Sequence, residues 1–143
     1  MLAGAETVHM KAKLAVVIAG VGFAVAAPPV LAHHAFAAEY DANRPVTLKG
    51  VVTRLEWTNP HSHFFVDVQD DKGNTINWKL ELASPNVLIQ NGWRKQTINI
   101  GDTVTIEGAM AKDGSSTANA RVFTLADGRR LSAASSGGDL PPR

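Results

Sequence analysis

The chain has 143 residues, 45% of them hydrophobic and 19% charged, with a formal net charge of +1. That length fits one domain with an appendage, the apolar fraction argues against a wholly disordered chain, and the balanced charge argues against a polybasic binder of nucleic acid or membrane surfaces. Cysteine is absent, which excludes disulfides, thiolate metal sites, cysteine catalysis and lipoprotein attachment.

The first element reads as an export signal rather than as part of the fold. Met10-Lys11-Ala12-Lys13 is a basic segment, Leu14 to Ala27 is an uncharged run of 14 residues, Pro28-Pro29 breaks it, and Val30-Leu31-Ala32 offers small or modest side chains to a signal peptidase. At ~1.5 Å per residue the run spans roughly 21 Å, short of the ~30 Å hydrocarbon core, so cleavage is expected rather than anchoring. Met10 opens a complete signal, which makes it the expected true start and residues 1–32 the expected leader. The leader takes Lys11, Lys13 and Glu6 with it and leaves 12 basic against 12 acidic side chains, so nucleic-acid binding has little electrostatic support. The working protein is expected in the periplasm or secreted, free of the membrane.

Residues 33–131 are expected to form one β-rich domain. His33 to Arg44 is an N-terminal arm that Phe36 and Tyr40 could fasten. Val46 to Trp57 is the first strand, with Val46 and Leu48 on one face and, past Gly50, Val51, Leu55 and Trp57. That phase change at a glycine predicts a β-bulge there. His63 to Asp70 alternates, with Phe64, Val66 and Val68 on one side, and Asp70-Asp71-Lys72-Gly73-Asn74 is a hairpin turn. Thr75 to Leu82 alternates again, with Ile76, Trp78, Leu80 and Leu82 inward. A helix follows, marked by Ser84 as N-cap, Pro85 at its first position, Val87 and Leu88 on its apolar side and Gly92 as its stop. Thr103 to Met110 directs Val104 and Ile106 inward, and Asn119 to Leu125 carries Val122 and Phe123 before a turn at Asp127-Gly128. The small, polar, Gly/Pro-rich stretch at 132–143 is expected to be a disordered tail.

The order β-β-β-α-β-β predicts an all-β fold of small helical content: a five-stranded OB-type barrel with its helix between strands three and four. A small antiparallel sandwich is the alternative, and it normally needs more strands.

Chemistry concentrates in the histidines. All four that follow the leader lie between positions 33 and 63. His61 and His63 are two residues apart, so in extended backbone both rings face one way and could reach one ion. Taken alone, His-x-His reads as a polar entry into a strand. Cleavage after Ala32 changes that weighting. It makes His33 the first residue, whose α-amine and imidazole would chelate while His61 or His63 adds a third nitrogen. That is the arrangement of a histidine brace, and such a nitrogen set favours Cu(II). The free amine has an unperturbed pKa of about 7.7–8.0, which makes its deprotonation inexpensive near neutrality. His34, as second residue, could compete with amine and amide. Cuts near Ala24-Val25-Ala26 or Ala35-Phe36-Ala37 would block or remove the terminal pair.

Other signals are weaker. Glu39, Asp41, Glu56 and Asp67 form no recognisable acid/base pair, and neither a nucleophile elbow nor a phosphate loop nor a dinucleotide fingerprint occurs. Trp57, Trp78 and Trp93 read as core, with Trp93 plugging the barrel end. Arg54 and Arg94 could hold an anion but read first as solvated charge.

Several segments resemble an exported bacterial family designated domain of unknown function 6152. They are His33-His34-Ala35-Phe36 with Glu39-Tyr40-Asp41, Val46-Thr47-Leu48-Lys49-Gly50, Glu56-Trp57, Asn59-Pro60-His61, Ser84-Pro85-Asn86, Gly92-Trp93, Gly101-Asp102, Lys112-Asp113-Gly114-Ser115, Asn119-Ala120-Arg121 and Leu125-Ala126-Asp127-Gly128-Arg129. The resemblance spans nearly the whole chain after the leader and implies export and a compact β-rich domain. It implies no activity.

The leading functional expectation is therefore an exported copper-binding protein whose ligands come from His33, His34, His61 and His63. The second is a metal-free OB-type module that binds a small ligand or another periplasmic protein through strands two and three. A copper oxidase built on the same ligands ranks last, because a chain of this length offers little substrate surface. The balance leans away from an enzyme.

Overall fold

A computed structural model describes residues 36–134. The expected leader and its start at Met10, together with His33 and His34, lie outside the described residues, as does the expected tail from position 135 onward. A helical turn at residues 36–39 leads into β1 (Tyr40–Glu56). Then follow β2 (His63–Gln69), β3 (Thr75–Glu81), α1 (Pro85–Gln90), β4 (Thr103–Ala111), β5 (Thr117–Thr124) and β6 (Arg130–Ser132).

The protein is mostly antiparallel β-sheet with little helix, and the reason lies in the length of β1. Its first half pairs with β4 through Val51↔Thr103, while its second half, from Gly50↔Val68 to Glu56↔His63, pairs with β2. One 17-residue strand therefore serves two neighbours. β2 and β3 form the expected hairpin, and β4 pairs with β5. A short parallel contact between β3 and β5, from Lys79↔Thr117 to Glu81↔Asn119, joins the two sides. The pairings thus run in a ring from β1 through β2, β3, β5 and β4 back to β1.

Local signals explain the corners. The Asp70 carboxylate accepts the N–H groups of Lys72 and Asn74, and Gly73 takes a positive φ of 82°, which closes the β2–β3 turn. Ser84 caps α1 by accepting from the Val87 N–H at 3.5 Å, Pro85 opens the helix and Leu88 is its buried residue. Phe64, Val66, Leu80, Leu82, Val104, Ile106 and Phe123 are buried together, as the alternation predicts. Trp93 is also fully buried, edge-on to Phe64 and Phe123 with ring centroids 5.8 and 5.3 Å away.

Four expectations need correction. The bulge is not at Gly50, whose pairs on both sides are in register. It lies between Val52 and Arg54, and accordingly Val52 is buried while Val51 is 41% exposed. Gly50 has a different duty: a Cβ there would overlap the Asp67 carbonyl oxygen on β2. β1 also begins at Tyr40, six residues ahead of Val46. The arm is therefore a helical turn followed by strand, held at its start by Tyr40↔Ala111 and irregular until Pro45↔Ala109.

The remaining corrections concern the strand count and the tail boundary. There is a sixth strand, and its last residue, Ser132, lies in the stretch expected to be tail. Ala133 is fully buried, donates its N–H to the Arg121 carbonyl and accepts the Ala83 N–H. Small side chains there are a packing requirement rather than a sign of disorder. No helix among the described residues is long and apolar enough to cross a membrane.

Candidate functional site

The polar cluster of interest is a row of residues placed side by side by strand register. Glu56 on β1 pairs with His63 on β2, His63 pairs with Glu81 on β3, and Glu81 pairs with Asn119 on β5. Directly opposed residues project to the same face of a sheet. The neighbours Phe64, Leu80 and Leu82 fill the core, so this row lies on the outer face. The site is therefore on the outside of the β1–β2–β3–β5 surface.

Glu81 is its hub. Oε2 accepts the Tyr40 hydroxyl at 3.1 Å and lies 4.0 Å from His63 Nε2. Oε1 lies 3.6 Å from His61 Nδ1 and accepts from Asn119 Nδ2 at 3.5 Å. Both imidazoles therefore stand beside one carboxylate. His61 Nδ1 also stands 3.1 Å from the Leu82 carbonyl. A carbonyl only accepts, so Nδ1 carries a proton, and in the neutral tautomer the lone pair is on Nε2. His63 Nδ1 faces Glu56 Oε2 at 3.9 Å, and Glu56 in turn meets Arg54 at 3.3 Å. The Arg54 guanidinium lies 3.6 Å over the Phe65 ring, which accounts for this arginine without an anion.

Electrostatics divide the cluster. Burial, with Lys79 as the next cause, holds the His63 pKa below its ordinary value, so the ring is kept in the neutral form that can ligate. Burial also drives the Tyr40 pKa upward, helped by the charge of Glu81, so its hydroxyl stays protonated and donates. Tyr40 stacks on Phe36 with centroids 5.7 Å apart. A cleft of about 350 Å³ opens beside Tyr40, between Ala38–Glu39 and the Lys112–Thr117 connection.

His61 and His63 are thus brought together, while His33 and His34 lie outside the described residues. Among the described residues no group of three or more His, Asp or Glu side chains is arranged to hold a metal ion. The sequence reading missed Glu81, Tyr40, Glu56 and Asn119 as members of the cluster. Glu81 was within reach of it: His63 stands six residues before Gln69 and Glu81 six after Thr75, so counting outward from the hairpin sets them opposite each other.

Ser62, between the two histidines, is fully buried, and its hydroxyl has no partner among the described residues. Its backbone is satisfied through the Ala83 carbonyl and the Leu82 N–H. A buried hydroxyl without a partner costs roughly 1–3 kcal/mol. Ser62→Ala should therefore raise stability by about 1 kcal/mol in urea unfolding. A loss of that size instead would mean that the hydroxyl has a partner.

The family profile described as "Family of unknown function (DUF6152)" matches residues 21–120. No curated protein matches the chain. The chain belongs to the DUF6152 family.

Proposed function

We propose that this member of the DUF6152 family is an exported copper-binding protein whose described ligands are His61 and His63. The observation that carries the reading is their proximity: His61 Nδ1 and His63 Nε2 stand 3.6 and 4.0 Å from the two oxygens of one carboxylate, Glu81, which leaves His61 Nε2 and His63 Nδ1 as the nitrogens for an ion. Burial keeps one ring neutral, and the Leu82 carbonyl orients the other. Imidazole nitrogens suit copper, and a carboxylate behind them is the usual outer partner of a ligating histidine. Two imidazoles do not complete a site. His33, with its amine exposed by cleavage after Ala32, is the proposed further ligand, and His34 is its competitor. Export rests on the order of basic, apolar and small residues in the leader.

The domain reading that goes with this function is an OB-type barrel. Its support is the ring of strand pairings and the position of α1 between β3 and β4.

The test is to express the full chain with its leader in a Gram-negative host and purify it from the periplasm. Its N-terminus is then fixed by intact mass, and the protein is titrated with Cu(II) under EPR. One ion per chain with an axial, nitrogen-dominated spectrum is expected. Changing both His61→Ala and His63→Ala should weaken binding more than about 100-fold, beyond the ~10–100-fold of an outer-shell change. Unaltered affinity in that double variant would sink the proposal and leave the exported metal-free binding module. Oxygen consumption by the copper form with a reductant would instead favour the oxidase.

A further inference from the structure

β3 runs from Thr75 to Glu81, but β5 covers only its second half, from Lys79↔Thr117 to Glu81↔Asn119. On its other side β3 is paired with β2 along its whole length, from Gln69↔Thr75 to His63↔Glu81. Residues 75–78 therefore have a strand neighbour on one side only.

The phase of the ladder identifies the groups that face the open side. The Asp70 N–H donates to the Asn74 carbonyl, so Asn74 and every second residue after it bond toward β2. Thr75, Asn77 and Lys79 turn their backbone groups the other way, and accordingly the Lys79 N–H donates to the Ser116 carbonyl at 3.0 Å. Among the described residues, the N–H and C=O groups of Thr75 and Asn77 have no partner on that side. Two donors and two acceptors thus stand in line at strand spacing, and another extended backbone is the ligand that matches such a row.

The side chains narrow the occupant further. Ile76 and Trp78 share the inward phase with Leu80, but Leu80 is fully buried and these two are half-buried, which leaves apolar surface beside the open edge. Thr75, Asn77 and Lys79 are exposed on the other face. Lys79 is in no ion pair among the described residues. A lone cation beside the edge disfavours a second copy of β3, which would bring a second lysine, and favours a carboxylate.

We infer that residues 75–78 of β3 receive an extended segment of another protein, added as a further strand, with apolar side chains against Ile76 and Trp78 and a carboxylate beside Lys79. The inference is independent of the copper reading, and its test is run without metal.

The experiment titrates the ¹⁵N-labelled, copper-free exported chain with an acetylated and amidated octapeptide alternating glutamate and valine, and follows amide exchange by NMR. Slowed exchange at the Thr75 and Asn77 amides is expected, with a lysine–valine counterpart binding about 5-fold more weakly. Two further peptides carry methyl groups on the backbone nitrogens of the valines or of the glutamates. One should lose binding and the other keep it, because only alternate N–H groups of an added strand face β3. Asn77→Pro removes an edge donor but no bond to the β2 backbone, and should weaken binding by ~10-fold or more. Thr75→Pro, at the first residue of the strand, makes the same test if that variant does not fold. Lys79→Glu should reverse the preference between the acidic and basic peptides.

Unaltered affinity in the proline variant, or equal binding of the two methylated peptides, would overturn strand addition, as would the absence of binding by the unaltered chain. Concentration-dependent dimerisation that Asn77→Pro abolishes would overturn it in favour of a second copy at this edge.

Discussion

Trp93→Ala should cost about 3–5 kcal/mol, the range for deleting a large aromatic from a packed core. Trp93 follows the stop of α1 and has no exposed surface. It meets Phe64 from β2 and Phe123 from β5, and those two rings meet each other at 5.6 Å, so the three close a triangle of edge-to-face contacts. Such pairs add to the area they bury. Its Nε1 also donates to the Ser132 carbonyl at 2.7 Å, so the same side chain holds β6. Truncation therefore opens a cavity and at the same time leaves the Ser132 carbonyl with only the longer bond from Asn91 Nδ2, at 3.4 Å. Small domains are stable by only about 5–15 kcal/mol, so the variant should unfold at markedly lower urea and at a melting temperature lower by at least ~10 °C. Trp93→Phe separates the two contributions. It keeps much of the ring but not the donor, so its loss should be smaller, with amide protection lost first at residues 130–133. A cost near zero for Trp93→Ala would show that the triangle is not the centre of the core.

Gly50→Ala should cost about 1–3 kcal/mol, and more if β1 cannot shift, although the change adds a single methyl. The new Cβ would overlap the Asp67 carbonyl oxygen and stand 2.8 Å from Val66 Cγ1. The obstructing oxygen belongs to backbone and cannot rotate away. Gly50 is also where β1 is paired with β2 through Val68 and with β4 through Val104 at the same time, so a displacement there disturbs both ladders. The control is Val51→Thr next door, on an exposed side chain, which should stay within ~0.5 kcal/mol. Equal stability of Gly50→Ala and the native chain in chemical denaturation would refute the close approach.

Copper affinity bears on function, whereas these two variants test the scaffold that holds the row Glu56–His63–Glu81 in register. A shift of one residue along β2 would send His63 inward and replace it with Phe64 or Ser62. Because the site is built from opposed residues of separate strands, its geometry is only as fixed as that register.

Periodicity and turn chemistry made most of the elements legible. The alternation in 63–69 and 75–82, the Asp70–Asn74 turn and the Ser84-Pro85 start of α1 are local features, each decided by neighbours within a few residues. The proximity of His61 and His63 was legible for the same reason, since it follows from the two-residue repeat of extended backbone. Three features were not local. The bulge sits at Val52–Arg54 rather than Gly50 because it is set by where β1 passes from β4 to β2. Ser132 and Ala133 looked like tail because Ser and Ala carry no hydrophobic pattern, yet cross-strand backbone bonds and a tight space hold them. Tyr40, Glu81 and Asn119 are distant in sequence, and only the pairing of β3 with β5 and the return of the arm bring them together. By itself, then, the sequence determined five of the strands, the turns and one pair of histidines, because those depend on short-range sterics and spacing. The carboxylate between the histidines and the tyrosine that reaches it were decided by tertiary structure, because side chains far apart in the chain become neighbours only when the strands choose their partners.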